Sequence, residues 1–216
     1  GTLDDLKRMV QQPAPVAGVT NMRAVLGSLS RYKTEPIPPG IDYPWFELTM
    51  RTHGIRQGWF VIWAGYPASG KTAAMLQICR GAAKQGFRVL LNSLEMDEQE
   101  LGIRMVQSEG LNTSHLYSNR MTDDDRRAFD LALTIPGTEN LHICKDYTLA
   151  GLAERVGDLK PDLVAIDYIG LMEPGNDSDY QRTTKVSRGL TSMAETFMVP
   201  TIALSHLSRP KDKDAQ

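Results

Sequence analysis

The sequence predicts an α/β fold, a mostly parallel twisted sheet with helices on both faces. Three observations predict it. Short apolar runs alternate with longer helical patterns from residue 58 to residue 205. Several of those runs, such as "LVAI" at 163–166, are apolar at every position, as strands buried on both faces require. A glycine-bounded loop, "GYPASGKT" at 65–72, joins the first run to the first long helix.

The elements follow in order. Residues 1–40 read as an N-terminal arm or linker. Over 2–11, Thr2 and Asp5 have capping-box form, and Leu3, Leu6, Met9 and Val10 share one helical face. "QQPAPVAG" breaks that helix, 19–33 is helical again, and the prolines of "TEPIPPG" (34–40) stop it. The apolar stripe of this arm needs a surface to bury it, on its own domain or on a neighbouring subunit. Residues 41–216 read as the core. "WFVIWAG" (59–65) is a strand and 71–85 a helix. "RVLLNSLE" (88–95) is a strand, with helices over 97–109 and 122–134. "NLHICK" (140–145) is a strand and 148–157 a helix. "DLVAID" (162–167) is a strand, 180–198 a long helix and "PTIALS" (200–205) the last strand. Such units connect by right-handed crossovers.

Composition sets the class. A chain of 216 residues is long enough for one well-buried α/β domain with a small appendage. It is 41% apolar and 23% charged, as soluble globular domains are. The net charge of -2 does not single out a nucleic-acid binder, although a local basic patch suffices for one. Cys79 and Cys144 are far apart and form no CxxC motif, which reads as two thiols in a reducing compartment. No run reaches the roughly 20 apolar residues of a membrane span, and "GTLDDLKRMV" is no signal peptide. The expectation is a cytoplasmic protein with no membrane partner.

The loop carries the most chemistry. "GYPASGKT" fits G-x-x-x-x-G-K-[ST], the phosphate-binding loop of nucleoside triphosphatases. The expected phosphate cradle is Gly65, Tyr66, Pro67, Ala68, Ser69, Gly70, Lys71 and Thr72. Gly65 and Gly70 let the backbone curl so that successive N–H groups face one point. The following helix adds its N-terminal dipole. Lys71 reaches the β- and γ-phosphates, and the Thr72 hydroxyl meets Mg²⁺. The ligand implied is ATP or another nucleoside triphosphate with Mg²⁺.

Three further residues fall at strand ends, where open α/β sheets bind ligands. Asp167 closes "LVAID" and suits the metal-holding Walker B role, or it only caps a strand. Glu95 ends the strand after the loop's helix, placed to activate an attacking water. Its plainer alternative is an acid at the N-terminus of the next helix, a job for which Asp97 and Glu98 are better placed. His206 follows the last strand and suits a sensor of the γ-phosphate, or it is an ordinary surface histidine.

These pieces, in this order, resemble the RecA-type motor domain of hexameric replicative helicases over about residues 40–211. "SLEM", "IDYIGLM", "VSRGLTSMAETFMVP" and "TIALSHLSR" are particularly similar to the DnaB family. The resemblance implies a RecA-like P-loop ATPase that translocates on single-stranded DNA. Lys71, Glu95, Asp167 and His206 are then its catalytic set, and Thr72 and Asp167 its metal residues. It also implies a homo-oligomer, a hexameric ring, with a primase or helicase loader as partner. DnaB proteins usually carry Gln at the position of His206, and phage primase-helicases and the mitochondrial helicase Twinkle resemble this chain in carrying His. That implies a phage or prophage origin in a bacterial host. Family members continue through further strands bearing an arginine finger, for which this sequence offers no residue, so the motor is expected to be incomplete here. The loops expected on DNA are 173–185 and 208–216. Arg209, Lys211 and Lys213 suit backbone phosphates, or belong to a solvated tail; Arg182 and Lys185 are a second set, or face outward on the long helix. Two other readings stay open: a DNA-dependent ATPase forming RecA- or RadA-like filaments, and a scaffold that binds nucleotide without hydrolysing it.

Overall fold

A computed structural model describes residues 20–207. The helix expected over 2–11 and the basic residues Arg209, Lys211 and Lys213 lie outside the described residues. The chain divides into two units, Gly1–Pro38 and Pro39–Gln216.

In the first unit, α1 spans Met22–Leu29 and runs into a 3-10 turn, Ser30–Lys33, slightly shorter than the expected helix. Asn21 caps it by accepting from the Ala24 N–H at 2.9 Å. Met22, Val25, Leu26 and Leu29, spaced i, i+3, i+4 and i+7, are all exposed.

The second unit is built on five parallel strands: β1 (Phe60–Gly65), β2 (Val89–Ser93), β3 (Leu141–Cys144), β4 (Leu163–Asp167) and β5 (Thr201–His206). Their order is β1-β5-β4-β2-β3. The chain moves outward to β3, and β4 and β5 return to fill the gap between β1 and β2. Helix α2 (Phe46–Thr52) precedes the sheet, α3 (Lys71–Lys84) follows β1, and α4 (Glu98–Gln107), α5 (Thr113–Tyr117) and α6 (Asp123–Leu133) follow β2. Helix α7 (Leu149–Leu159) links β3 to β4, and α8 (Asp179–Phe197) links β4 to β5.

The period-2 alternation of strand side chains divides the core into two layers. Val89, Leu91, Leu163, Ala165, Ile202 and Leu204 face α3, packing with its Met75, Ile78, Cys79 and Ala82. Leu90, Val164, Ile166 and Ala203 face α7 and α8, packing with Leu152, Val156, Val186 and Leu190. Central β4 is therefore buried at every position. Edge strands β1 and β3 are only partly buried, because each has one strand neighbour. A third cluster, Val106, Leu111 and Ala128, joins α4 to α6. Its polar counterpart is the buried Asp125, which accepts from Thr122 N (2.8 Å), Thr122 Oγ1 (2.6 Å) and Asn112 N (3.0 Å) and pairs with His115 Nδ1 (2.9 Å). Those hydrogen bonds, from Thr122 above all, hold its carboxyl well below the usual range. Among the described residues, no helix is long and apolar enough to cross a membrane.

Candidate active site

The P-loop sits where the sequence places it, between β1 and α3. Gly65 ends β1, residues 66–70 turn, and Lys71 is the first helical residue. Its geometry corrects one expectation. The left-handed residues are Gly70 (φ 85) and Ala68 (φ 60), not Gly65. Gly65 serves by leaving room: a Cβ there would lie 2.8 Å from Ser69 Oγ and 3.4 Å from Lys71 Cγ and Cδ. Gly70 caps α3 with no side-chain hydrogen bond, and the first turn of α3 carries no acid. Helices α4, α6 and α8 instead begin with capping boxes and acidic first turns. Helix α3 alone among these four presents bare N–H groups and an uncompensated positive pole, the arrangement that receives an anion. Lys71 Nζ lies over the same loop and donates to the Tyr66 carbonyl at 2.8 Å.

The other expected residues gather at that edge. Parallel register pairs Gly65 of β1 with His206 of β5, and Ser93 of β2 with Asp167 of β4. Leu207 N donates to the Gly65 carbonyl at 3.1 Å, tying the β5 tip to the start of the loop. Leu94 N and Glu95 N both donate to the Asp167 carbonyl, at 2.7 and 3.3 Å, which sets Glu95 beside Asp167. Glu95 is exposed and lies two residues past β2. The cap of α4 is Asp97, in a capping box with Glu100, so Glu95 has no capping duty.

Asp167 is 3% exposed. Burial is the main force raising its carboxyl above the usual range, and Glu95 raises it further. The Thr72 hydroxyl, His206 and Lys71 pull it back. The other four expected side chains thus all act on the Asp167 carboxyl. The sequence did not reveal Tyr168. Its ring stacks on His206 with centroids 4.0 Å apart and planes 13° apart. An aromatic residue directly after a strand-end acid is the only trace of it in the sequence.

The secondary set for DNA has local partners. Arg182 pairs with Asp179 on the first turn of α8. Lys185 pairs with Glu173 at 2.9 Å, and Glu173 also accepts from Leu149 N at 2.8 Å.

A lysine-threonine phosphate loop, a buried acid and a second acid on one parallel-sheet edge suit the phosphates of a nucleotide. The sequence family narrows this. Residues 40–216 match the model of the DnaB-like helicase C terminal domain. The chain belongs to that family. A replicative DNA helicase DnaB of Synechocystis is 32% identical over 92% of this chain and 24% of its own length. The DnaB of Geobacillus stearothermophilus is 30% identical over 79% of this chain and 40% of its own. The chain therefore spans about a quarter to two fifths of these curated relatives. The solved ATPase domain of G40P superposes with a TM-score of 0.75 at 27% identity, covering 89% of this chain and 72% of that one. A DnaB-like replicative helicase, solved in a study of its interactions with primase, gives 0.76 at 25% identity over 95% of this chain and 52% of its own. Membership in the DnaB-like family agrees with the RecA-like fold and with use of a nucleotide.

Proposed function

We propose that this chain is the ATP-hydrolysing motor of a replicative DNA helicase. One observation supports the reading: in a member of the DnaB-like family, parallel register sets His206 beside Gly65 and Asp167 beside Ser93, and Thr72, Glu95, His206 and Lys71 all act on the Asp167 carboxyl. The working division is an arm at 1–40 and an ATPase core at 41–216.

In this reading the N–H groups of the loop and of the first turn of α3 hold the triphosphate. Lys71 leaves the Tyr66 carbonyl for the β- and γ-phosphate oxygens. Thr72 and Asp167 would hold Mg²⁺, which neutralises charge on the phosphate oxygens when bound. Their chemistry fits, since Mg²⁺ takes one or two protein oxygens plus substrate phosphates. The described residues hold no cluster of three or more His, Cys, Asp or Glu side chains to cage it instead. Glu95 orients a water in line with the γ-phosphate and accepts its proton. Lys71 stabilises the charge that develops on the transferring group. His206 contacts the γ-phosphate and registers its loss at the tip of β5.

Single-stranded DNA is the proposed track, gripped by segments 173–185 and 208–216 through Arg209, Lys211, Lys213, Arg182 and Lys185. A ring of copies, with the amphipathic helix of the 1–40 arm docked on a neighbour, is the proposed assembly. A primase or loader is the proposed partner, and the cytoplasm of a bacterial or phage-infected cell the proposed site of action.

Mg-ATP titration of the native chain and of Lys71→Ala tests the nucleotide site. Losing one charge-assisted contact is worth about 1.5–3 kcal/mol, so affinity should fall about 10- to 100-fold. Equal affinity in the two proteins would remove Lys71 from the site and with it this reading.

A further inference from the structure

Tyr168 has no part in the chemistry above, yet it makes the closest ring-to-ring contact recorded among the described residues. It leaves the tip of β4 directly after Asp167, and His206 ends the neighbouring strand β5. His206 is exposed, and its backbone is anchored through Leu207 to Gly65. Nothing in that anchoring fixes its ring, because histidine χ2 lies in a broad well. The stack supplies what the backbone does not. Planes 13° apart at 4.0 Å set the plane of the imidazole against the phenol.

The phenol is itself held. Tyr168 packs against the core layer that contains α3. On its other flank stands Gly170, where a Cβ would come within 2.6 Å of Tyr168 Cε2. Glycine at 170 therefore makes the room that the ring occupies. The main chain of Tyr168 leads into the 3-10 turn Ile169–Leu171, its backbone carbonyl accepting from Leu171 N at 3.2 Å.

We propose that Tyr168 is a positioning residue, whose ring face holds the His206 imidazole in the one plane from which it meets the γ-phosphate of a bound nucleoside triphosphate. The inference rests on the motor reading above for its catalytic consequence. The flat face is the working part, and the phenol hydroxyl is not. Tyr168→Phe keeps the face, and Tyr168→Leu keeps bulk without it.

The test is steady-state ATP hydrolysis on single-stranded DNA by the native chain, Tyr168→Phe, Tyr168→Leu, His206→Ala and the Tyr168→Leu/His206→Ala double variant. Thermal melts confirm that each is folded. The expected result is near-native kcat for Phe and a kcat about tenfold lower for Leu, with KM for ATP within about twofold. In the His206→Ala background the Leu change should add nothing, because its effect passes through the imidazole. Phe that fails to rescue, a loss wholly in KM, or full additivity in the double variant would overturn the inference.

A second readout needs no turnover. Ring protons of His206 in the native chain should carry an upfield ring-current shift that survives in Phe and disappears in Leu. Native turnover with unshifted His206 protons would overturn this inference alone. Shifted protons with no native turnover would overturn the motor reading and the catalytic role of the stack together.

Discussion

Asp167→Asn should make the protein more stable and less active at once. The carboxylate is 3% exposed and sits where burial and Glu95 oppose its charge. A metal ligand needs that charge and the fold does not. The amide keeps the shape of the carboxylate and removes its charge. Removing an unfavourable charge from a functional site commonly gains about 1 kcal/mol. In a chain of this size that raises Tm by about 2–4 °C.

The sign with pH follows from the raised carboxyl. Asp167 opposes folding fully above its folded-state pKa and ceases to do so below the unfolded value of about 3.9. The advantage of Asn should therefore be larger at pH 7 than at pH 4 and shrink as pH falls. Calorimetric melts of both proteins without nucleotide, at several pH values, read the stability. ATP hydrolysis reads the activity, which should drop by about 10²-fold or more. An Asn variant that melts lower than native at pH 7 would refute the reasoning. It would mean that Lys71 and His206 hold the carboxylate as part of the fold.

The P-loop and the α5–α6 junction give two further tests. Gly65→Ala would put a Cβ 2.8 Å from Ser69 Oγ and 3.4 Å from the Lys71 side chain, so the Ser69 side chain or the loop must shift. Mg-ATP affinity measured by calorimetry should fall about tenfold, as phosphate contacts demand sub-ångström placement, while Tm changes little. Asp125→Asn should melt lower than native at neutral pH, because one amide face cannot accept all that the carboxylate accepts. Its carboxyl is lowered, so its contribution is complete above the unfolded value of about 3.9 and is lost as pH falls below it. The gap between native and Asn melts should hold steady from pH 7 to 5 and close below 4.

Much of this was legible in the sequence because it is local or periodic. Strands such as Leu163–Asp167 announce themselves as apolar runs, and the phosphate loop by its glycines, lysine and threonine. The acids Glu95 and Asp167 were found because strand ends on a parallel sheet share one edge. What was not legible depends on strand order or on contacts between distant segments. Helix α2 follows Trp45, which caps it with no side-chain hydrogen bond, and leaves Phe46 and Met50 exposed, so its pattern is weak. It is fixed instead from outside, where Thr49 Oγ1 accepts from Tyr43 N at 2.8 Å. The five-residue α5 is too short for periodicity and depends on Asp125. The role of Gly65 looked like backbone freedom, but only the placement of Ser69 and Lys71 shows that it is space. The Tyr168–His206 stack requires knowing that β4 and β5 are neighbours.

The central claim is a DNA-driven ATPase with Glu95 as its base. The most direct measurement is ATP hydrolysis by the native chain and by Glu95→Ala, with and without single-stranded DNA. Glu95 is exposed and Asp97 with Glu100 caps α4, so the variant should fold and bind ATP normally. The account predicts DNA-stimulated hydrolysis in the native chain and a kcat lower by about 10²- to 10⁴-fold in the variant. Undiminished hydrolysis in Glu95→Ala, or a native chain that binds ATP and turns none over with DNA present, would contradict it.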